Sequence, residues 1–234
     1  MIRNYVAFDL ETTGLNVETD SIIEIGALKV IDGKVQERFM EFVKPAQRIT
    51  PMITEITGIT NEMVAGARDT KEIIGDFVSF CGDYPLIGHN IMFDFIFSKK
   101  YAESYGYRFQ KKGLDTLKIA RKVHKDLPSK SLGCLCEHYQ ITNQAAHRAY
   151  YDALATAKLY QHLAHAFEET EAALFEPEEL QYKFKKVQPC TKKQVQFYHA
   201  LCEQHQITPE CDINQLSRSE ASRMIDQLIA RFGK

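Results

Sequence analysis

Three observations predict an α/β fold, a mixed β-sheet flanked by helices, with a small α-helical unit at the C-terminus. The first 45 residues carry strand signals and no helical periodicity. From residue 70 onward helical and strand patterns alternate, the order expected of a sheet covered by helices. The stretch 191–234 carries two helix-start signals and one long amphipathic pattern.

The elements follow in order. In "YVAFDLETTGL" (5–15), Tyr5-Val6-Ala7-Phe8 reads as a strand buried on both faces. "SIIEIGALKVI" (21–31) and "ERFMEFVKP" (37–45) are rich in β-branched and aromatic residues, and Asp32-Gly33 between them is a hairpin signal. The chain therefore opens as an antiparallel meander. In "TKEIIGDFVSFCG" (70–82), Ile73, Ile74, Phe77 and Val78 recur at helical spacing. "YPLIGHN" (84–90) is a short buried strand. Helices are expected over 93–105, 115–124 and 131–139, the last capped by Ser131, and a long one over 148–168.

A chain of 234 residues has room for one good-sized domain and a small second one. The expected division is a domain over 1–169, a linker over 170–190 and a helical hairpin over 191–234. Thr191-x-x-Gln194 and Ser217-x-x-Glu220 both fit a capping box. Ala221, Met224, Ile225, Leu228, Ile229 and Phe232 form one apolar helix face, and Pro209 separates the two helices. Two helices make a small core, so the hairpin is expected to lean on the main domain or on a partner.

Composition excludes some classes. No apolar run approaches the roughly 20 residues of a membrane helix, and "MIRNYVAFDL" lacks a signal peptide's apolar region. Six scattered cysteines, the closest pair being Cys134-x-Cys136, do not have zinc spacing and read as reduced thiols of a cytoplasmic protein. The net charge of −2 divides unevenly. Residues 1–177 carry 20 basic against 24 acidic side chains, a net of −4, and residues 178–234 carry 9 against 7, a net of +2. Lys183, Lys185, Lys186, Lys192 and Lys193 lie in a stretch without an acid. Such a stretch is either a polyanion contact or a solvated connector.

Three places carry chemistry. Asp9 and Glu11 are two apart at a strand end, so their carboxylates stand on one face within a few ångströms. Like charges that close raise at least one pKa unless a cation sits between them. Asp94 lies among Phe93, Phe95, Ile96 and Phe97, where a lone charge is costly. In "HRAYYDALATAKLY" (147–160), His147 precedes Asp152 by five residues, about 140° around a helix. Either the two serve different surfaces, or His147 stands on a loop before the helix and swings toward Asp152.

Together, "FDLETTGL", "GHNIMFDFIF" and "HRAYYDALAT" resemble, in this order, the three motifs of the DEDDh family of 3′→5′ exonucleases. "EITGIT" (55–60), "DTLKIAR" (115–121) and "LPSKSLGCLCEHYQI" (127–141) look like family segments too, and the resemblance spans about residues 4–165. One departure is "GARDT" (66–70), where a proline often follows the alanine.

The resemblance implies a ribonuclease H-like fold and a two-metal-ion hydrolase that releases nucleoside monophosphates from DNA 3′ ends, of proofreading or repair type. Asp9, Glu11, Asp94 and Asp152 would hold two divalent cations, with Asp9 between both and Asp94 the loosest. Hard oxygen ligands favour Mg²⁺ or Mn²⁺. His147 would be the general base, a role that suits a side chain whose intrinsic pKa lies near neutrality. Thr12, Thr13, Gly14, Leu15, Gly58, Ile59, His89 and Asn90 would line the substrate cleft, with Leu15 as an apolar wedge against the terminal base. The five lysines would touch nucleic acid, or the hairpin would dock a DNA polymerase or another replication or repair protein. Two other readings stand beside this one: an exoribonuclease that trims RNA, and a catalytically silent nucleic-acid-binding protein. Loss of an acid or of the histidine would mark the latter, and neither is lost.

Overall fold

The computed structural model describes residues 1–184, 188–209 and 211–233, in two compact units, Met1–Tyr182 and Lys183–Lys234. Lys185 and Lys186 lie outside the described residues.

The first unit opens with the antiparallel meander β1 (Tyr5–Thr12), β2 (Ile22–Ile31) and β3 (Lys34–Phe42). Two short helices follow, α1 (Pro51–Thr57) and α2 (Asn61–Ala65), then α3 (Thr70–Cys81), β4 (Leu86–Gly88) and α4 (Ile91–Ser104). The unit closes with β5 (Lys112–Asp115), α5 (Thr116–Val123), α6 (Leu132–His138), α7 (Ala149–Phe167) and β6 (Glu178–Glu179). The strand order is β3-β2-β1-β4-β5-β6, with β4 parallel to β1 and β5, so the sheet is mixed as expected.

Period-two alternation along β1 sorts its side chains onto two separate cores. Tyr5 and Ala7 pack with α7 residues such as Ala153, Leu159, Tyr160 and Leu163. Val6, Phe8 and Leu10 pack on the other face with Ile73, Ile74 and Phe77 of α3 and Phe95 of α4. Fully burying each of these large side chains contributes about 1.5–3 kcal/mol. Ala149, Ala153, Ala157 and Ala164 make the buried side of α7 small, so the helix lies close to the sheet. Closest of all is Gly26 on β2, where a Cβ would stand 1.9 Å from the Tyr150 nitrogen.

The first unit runs past the expected boundary at 169. Phe175, in a 3₁₀ turn, is buried in the α7 core, and β6 pairs with β5. These contacts correct the expected linker start. The entry to α3, where the family pattern often has proline, is closed by Asp69, whose carboxylate accepts the Glu72 N–H at 3.0 Å.

The second unit holds α8 (Lys192–Gln204) and α9 (Arg218–Phe232), with both capping boxes formed. Tyr198, Leu201, Cys202, Ile213, Ala221 and Ile225 make its core. The two helices are not a hairpin. Near the start of α8, Gln194 Nε2 donates to Arg218 O and Ser222 Oγ at the start of α9, both at 2.8 Å. At the far end the His205 ring stacks on Phe232, with centroids 5.9 Å apart. The helices therefore run side by side in the same direction. The physical reason is the connection 205–217, long enough to carry the chain back along a helix of about 20 Å. Among the described residues, no helix is long and apolar enough to cross a membrane, and all six cysteines are free thiols.

Candidate active site

The site lies at the C-terminal end of β1. Asp9 and Glu11 continue the stripe of Tyr5 and Ala7 on the face covered by α7. Asp152, one turn into α7, comes down onto them, because Gly26 is the register partner of Asp9 and lets the helix start rest there. One oxygen from each of Asp9, Glu11 and Asp152 lies within 4.8 Å of the other two.

Asp94 arrives from the other layer. It is 3% exposed, in the first turn of α4, and is not among those three. Its Oδ1 accepts the Leu10 N–H at 3.0 Å. Strand β4 pairs β1 only at Val6 and Ala7, so Leu10 lies beyond its end and Asp94 takes the freed donor.

His147 stands on the loop before α7, which settles the alternative left open by its spacing. Its backbone N–H donates to Asp152 Oδ2 at 2.8 Å, and its φ is +62°. Asn143 Nδ2 holds the other oxygen, Oδ1, at 2.7 Å. The exposed His147 side chain lines an open cleft of about 430 Å³ together with Asp9, Glu11, Asp94, Asp152 and Asn143. That volume is in the range of small-ligand sites.

The electrostatics of this cluster are unfavourable without a cation. Burial, then Asp94, Glu11, Asp152 and Glu24, pushes the Asp9 carboxyl well above the usual range. Burial and the charges of Asp152 and Glu24 push Glu11 up to about 8, against the pull of Arg148. Burial raises Asp94, which the Leu10 N–H opposes. Burial also raises Asp152, which Asn143 and the His147 N–H oppose. An all-oxygen donor set, crowded and short of positive charge, fits hard divalent cations.

The expected substrate-lining residues divide. Leu15 is 86% exposed, free of any core. The Thr12 hydroxyl donates to Gly14 O at 2.7 Å, and Thr13 Oγ1 accepts from Ser21 N and Gln47 Nε2, so both side chains brace the turn. Gly58 caps α1 with φ +71°, a conformation glycine adopts freely. Ile59 is 0% exposed, packed with Ile23, Ile49 and Val64, which corrects its expected place in the cleft. His89 lines the cleft, but its Nδ1 meets Thr116 Oγ1 and its Nε2 meets Lys130 O, each at 2.9 Å. The two ring nitrogens thus tie the end of strand β4 to the start of α5 and to the loop before α6, and are not open to a ligand. Asn90, with φ +67°, donates its backbone N–H to Asp115 Oδ1.

Three residues were not anticipated: Asn143, Arg148 and Glu24. Glu24 is 4% exposed on β2, directly opposite Glu11 in the ladder. The polar position inside "IIEIG" was the only signal for it.

A family model described as Exonuclease (RNase_T) matches residues 6–160. The chain belongs to the exonuclease family. Curated relatives of this exonuclease include the DNA polymerase III subunit epsilon of Aquifex aeolicus, 37% identical over 157 residues, 67% of this chain and 78% of that one. The PolC-type DNA polymerase III of Clostridium perfringens is 40% identical over 155 residues, 66% of this chain. The chain spans 11% of the length of that polymerase. Among solved structures, Exonuclease X in complex with 5′ overhanging duplex DNA superposes with a TM-score of 0.57 at 26% identity, covering 74% of this chain and 99% of that one. An E. coli exonuclease I complex with single-stranded DNA superposes with a TM-score of 0.67 at 21% identity, covering 75% of this chain and 43% of that one, and shares the fold.

Proposed function

We propose that this exonuclease is a 3′→5′ enzyme, dependent on two divalent cations, Mg²⁺ or Mn²⁺, that removes nucleoside monophosphates from DNA 3′ ends in a cytoplasmic replication or repair setting. The observation that carries the reading is the trio Asp9, Glu11 and Asp152, with oxygens within 4.8 Å of one another beside a loop histidine. The complex of Exonuclease X with 5′ overhanging duplex DNA and the similarity to a DNA polymerase III subunit epsilon support DNA as substrate.

Asp9, Glu11 and Asp152 would hold the cations, with Asp94 supporting them from the opposite layer. When bound, the cations supply acidity to the attacking water and positive charge to the phosphodiester. His147 takes a proton from that water at an imidazole nitrogen. Asn143 and the His147 N–H hold the Asp152 carboxylate in place at the cleft. Leu15 projects into solvent beside the braced 12–14 turn and provides an apolar surface for the terminal base.

Digestion of matched 5′-labelled DNA and RNA strands, single- and double-stranded, with Mg²⁺ or Mn²⁺ tests the reading. Stepwise shortening of DNA is expected. Shortening of RNA alone would reassign the substrate, and binding without cleavage would leave a nucleic-acid-binding protein. His147→Ala is expected to lower turnover about 10²–10⁴-fold while cation affinity survives. A collapse of cation affinity would make His147 a ligand instead.

The second unit extends the proposal. Lys192 and Lys193 start α8 and Arg218 starts α9, so the parallel helices bring three cationic side chains and two positive dipole ends to one end of the unit. That end, with Lys183, would add contacts to the phosphate backbone. A chain ending near Leu180 is expected to keep its turnover at saturating substrate, bind long single strands more weakly, and lose about 0.7 of salt slope per missing contact. Equal affinities and slopes would assign the unit to docking a protein.

A further inference from the structure

His147 sits on its loop in a backbone conformation that must be held. A non-glycine residue with positive φ is strained and persists only where its surroundings fix it. The imidazole itself makes no hydrogen bond among the described residues, so the backbone decides where it stands.

Two anchors flank that backbone. One is the Asp152 carboxylate on the His147 N–H. The other begins at the next residue. Arg148 Nη2 donates to Glu24 Oε1 at 2.8 Å, and Arg148 Nε reaches Oε2 at 3.1 Å. Glu24 Oε2 also accepts the Ala149 N–H at 3.0 Å, which caps α7 from the sheet where Arg148 offers no side-chain cap. The guanidinium lies 5.2 Å from the Phe42 ring centroid on β3. A forked arginine–carboxylate pair with a ring against it fixes direction as well as distance.

We propose that Arg148 and Glu24 form a positioning clamp that fixes the His147 imidazole at the carboxylate cleft. The clamp ties the histidine loop to β2, the strand that also carries the register partners of Asp9 and Glu11. Neither Arg148 nor Glu24 touches the reacting atoms. The inference rests on His147 being the base.

The decisive test is a double-mutant cycle on the full chain with Mg²⁺ and a 5′-labelled single strand. R148M is expected to lower kcat by about 30–100-fold, the scale of an ångström of misplacement, with KM and cation affinity within about threefold, the scatter of near-neutral contacts. In the H147A background the same change is expected to cost less than about threefold, because a clamp has nothing to position once the ring is gone. Equal losses in both backgrounds would overturn the proposal. The double variant E24Q/R148M leaves no unpaired buried charge and takes the place of R148M should that variant not fold. A second readout uses the cation-free protein. The His147 ring resonance is expected to be one sharp line in the wild type and to shift and broaden in R148M; an unchanged line would overturn the clamp. Full turnover in H147A alone would sink the base reading instead, and the ring resonance would then decide the clamp by itself.

Discussion

Asp9→Ala is expected to abolish cleavage and, in the absence of divalent cations, to raise the melting temperature. Asp9 stands between Glu11, Asp94 and Asp152, and its carboxyl is pushed far above its usual range by burial and by those neighbours. The sign follows from linkage. A carboxyl with a higher pKa folded than unfolded costs stability above its unfolded pKa, and the cost grows until pH passes the folded value. Glu11, raised from 4.5 to about 8, gives the window. Cation-free wild type should lose stability as pH rises through that interval, and Mg²⁺ should restore it. Asp9→Ala should show a flatter pH dependence and no Mg²⁺ response. Each kcal/mol corresponds to about 2–4 °C for a chain of this size. Melts with chelator and with Mg²⁺ at several pH values, beside a turnover assay, check all of this. A variant that keeps a tenth of its activity, or melts lower than wild type with chelator, would remove Asp9 from the centre of the site.

Gly26→Ala should be nearly as damaging, although glycine carries no chemistry. Its Cβ would stand 1.9 Å from Tyr150 N and 2.1 Å from Ala149 C, both backbone atoms with no rotamer to change. Reaching an ordinary contact of 3.4 Å means moving the first turn of α7 by about 1.5 Å (3.4 − 1.9). That turn carries Asp152, and Arg148 precedes it. Overpacking of this kind costs about 3 kcal/mol, or some 6–12 °C at the scale above. A displacement of an ångström at a reacting centre can cost about 10²-fold in rate. Thermal melts and turnover measure the two effects. Both unchanged would mean that α7 does not rest on Gly26.

Much of this was legible in the residues, for identifiable reasons. Asp9 and Glu11 were visible because strand alternation alone puts them side by side. His147 and Asp152 were visible as a pair only through the resemblance of "HRAYYDALAT" to the family's third motif, since their spacing alone left open two surfaces or a loop. The pair Glu24–Arg148 was not, because its members lie 124 residues apart and a single polar residue in a strand has many explanations. Helices α1 and α2 escaped notice because, at seven and five residues, they are too short for periodicity and rest on single threonine caps, Thr50 and Thr60. His89 lines the cleft as expected, with its ring nitrogens engaged, whereas Ile59 was misplaced for a simple reason. A motif gives the neighbourhood of a side chain, and only packing gives its direction. The direction of α9 was hidden in the connection 205–217, whose length permits a return that no local pattern announces.

The sheet separates two cores, and the acids come from both sides of it. Asp152 belongs to the helix of one core, Asp94 to a helix of the other, and Asp9 and Glu11 to the strand between them. The site is therefore complete only while both cores are packed at once. Proteins open in pieces well before they unfold as a whole. In this arrangement either partial opening withdraws a carboxylate, so partly unfolded molecules cannot degrade the strand they hold. The architecture makes nuclease activity a test of the integrity of its own fold.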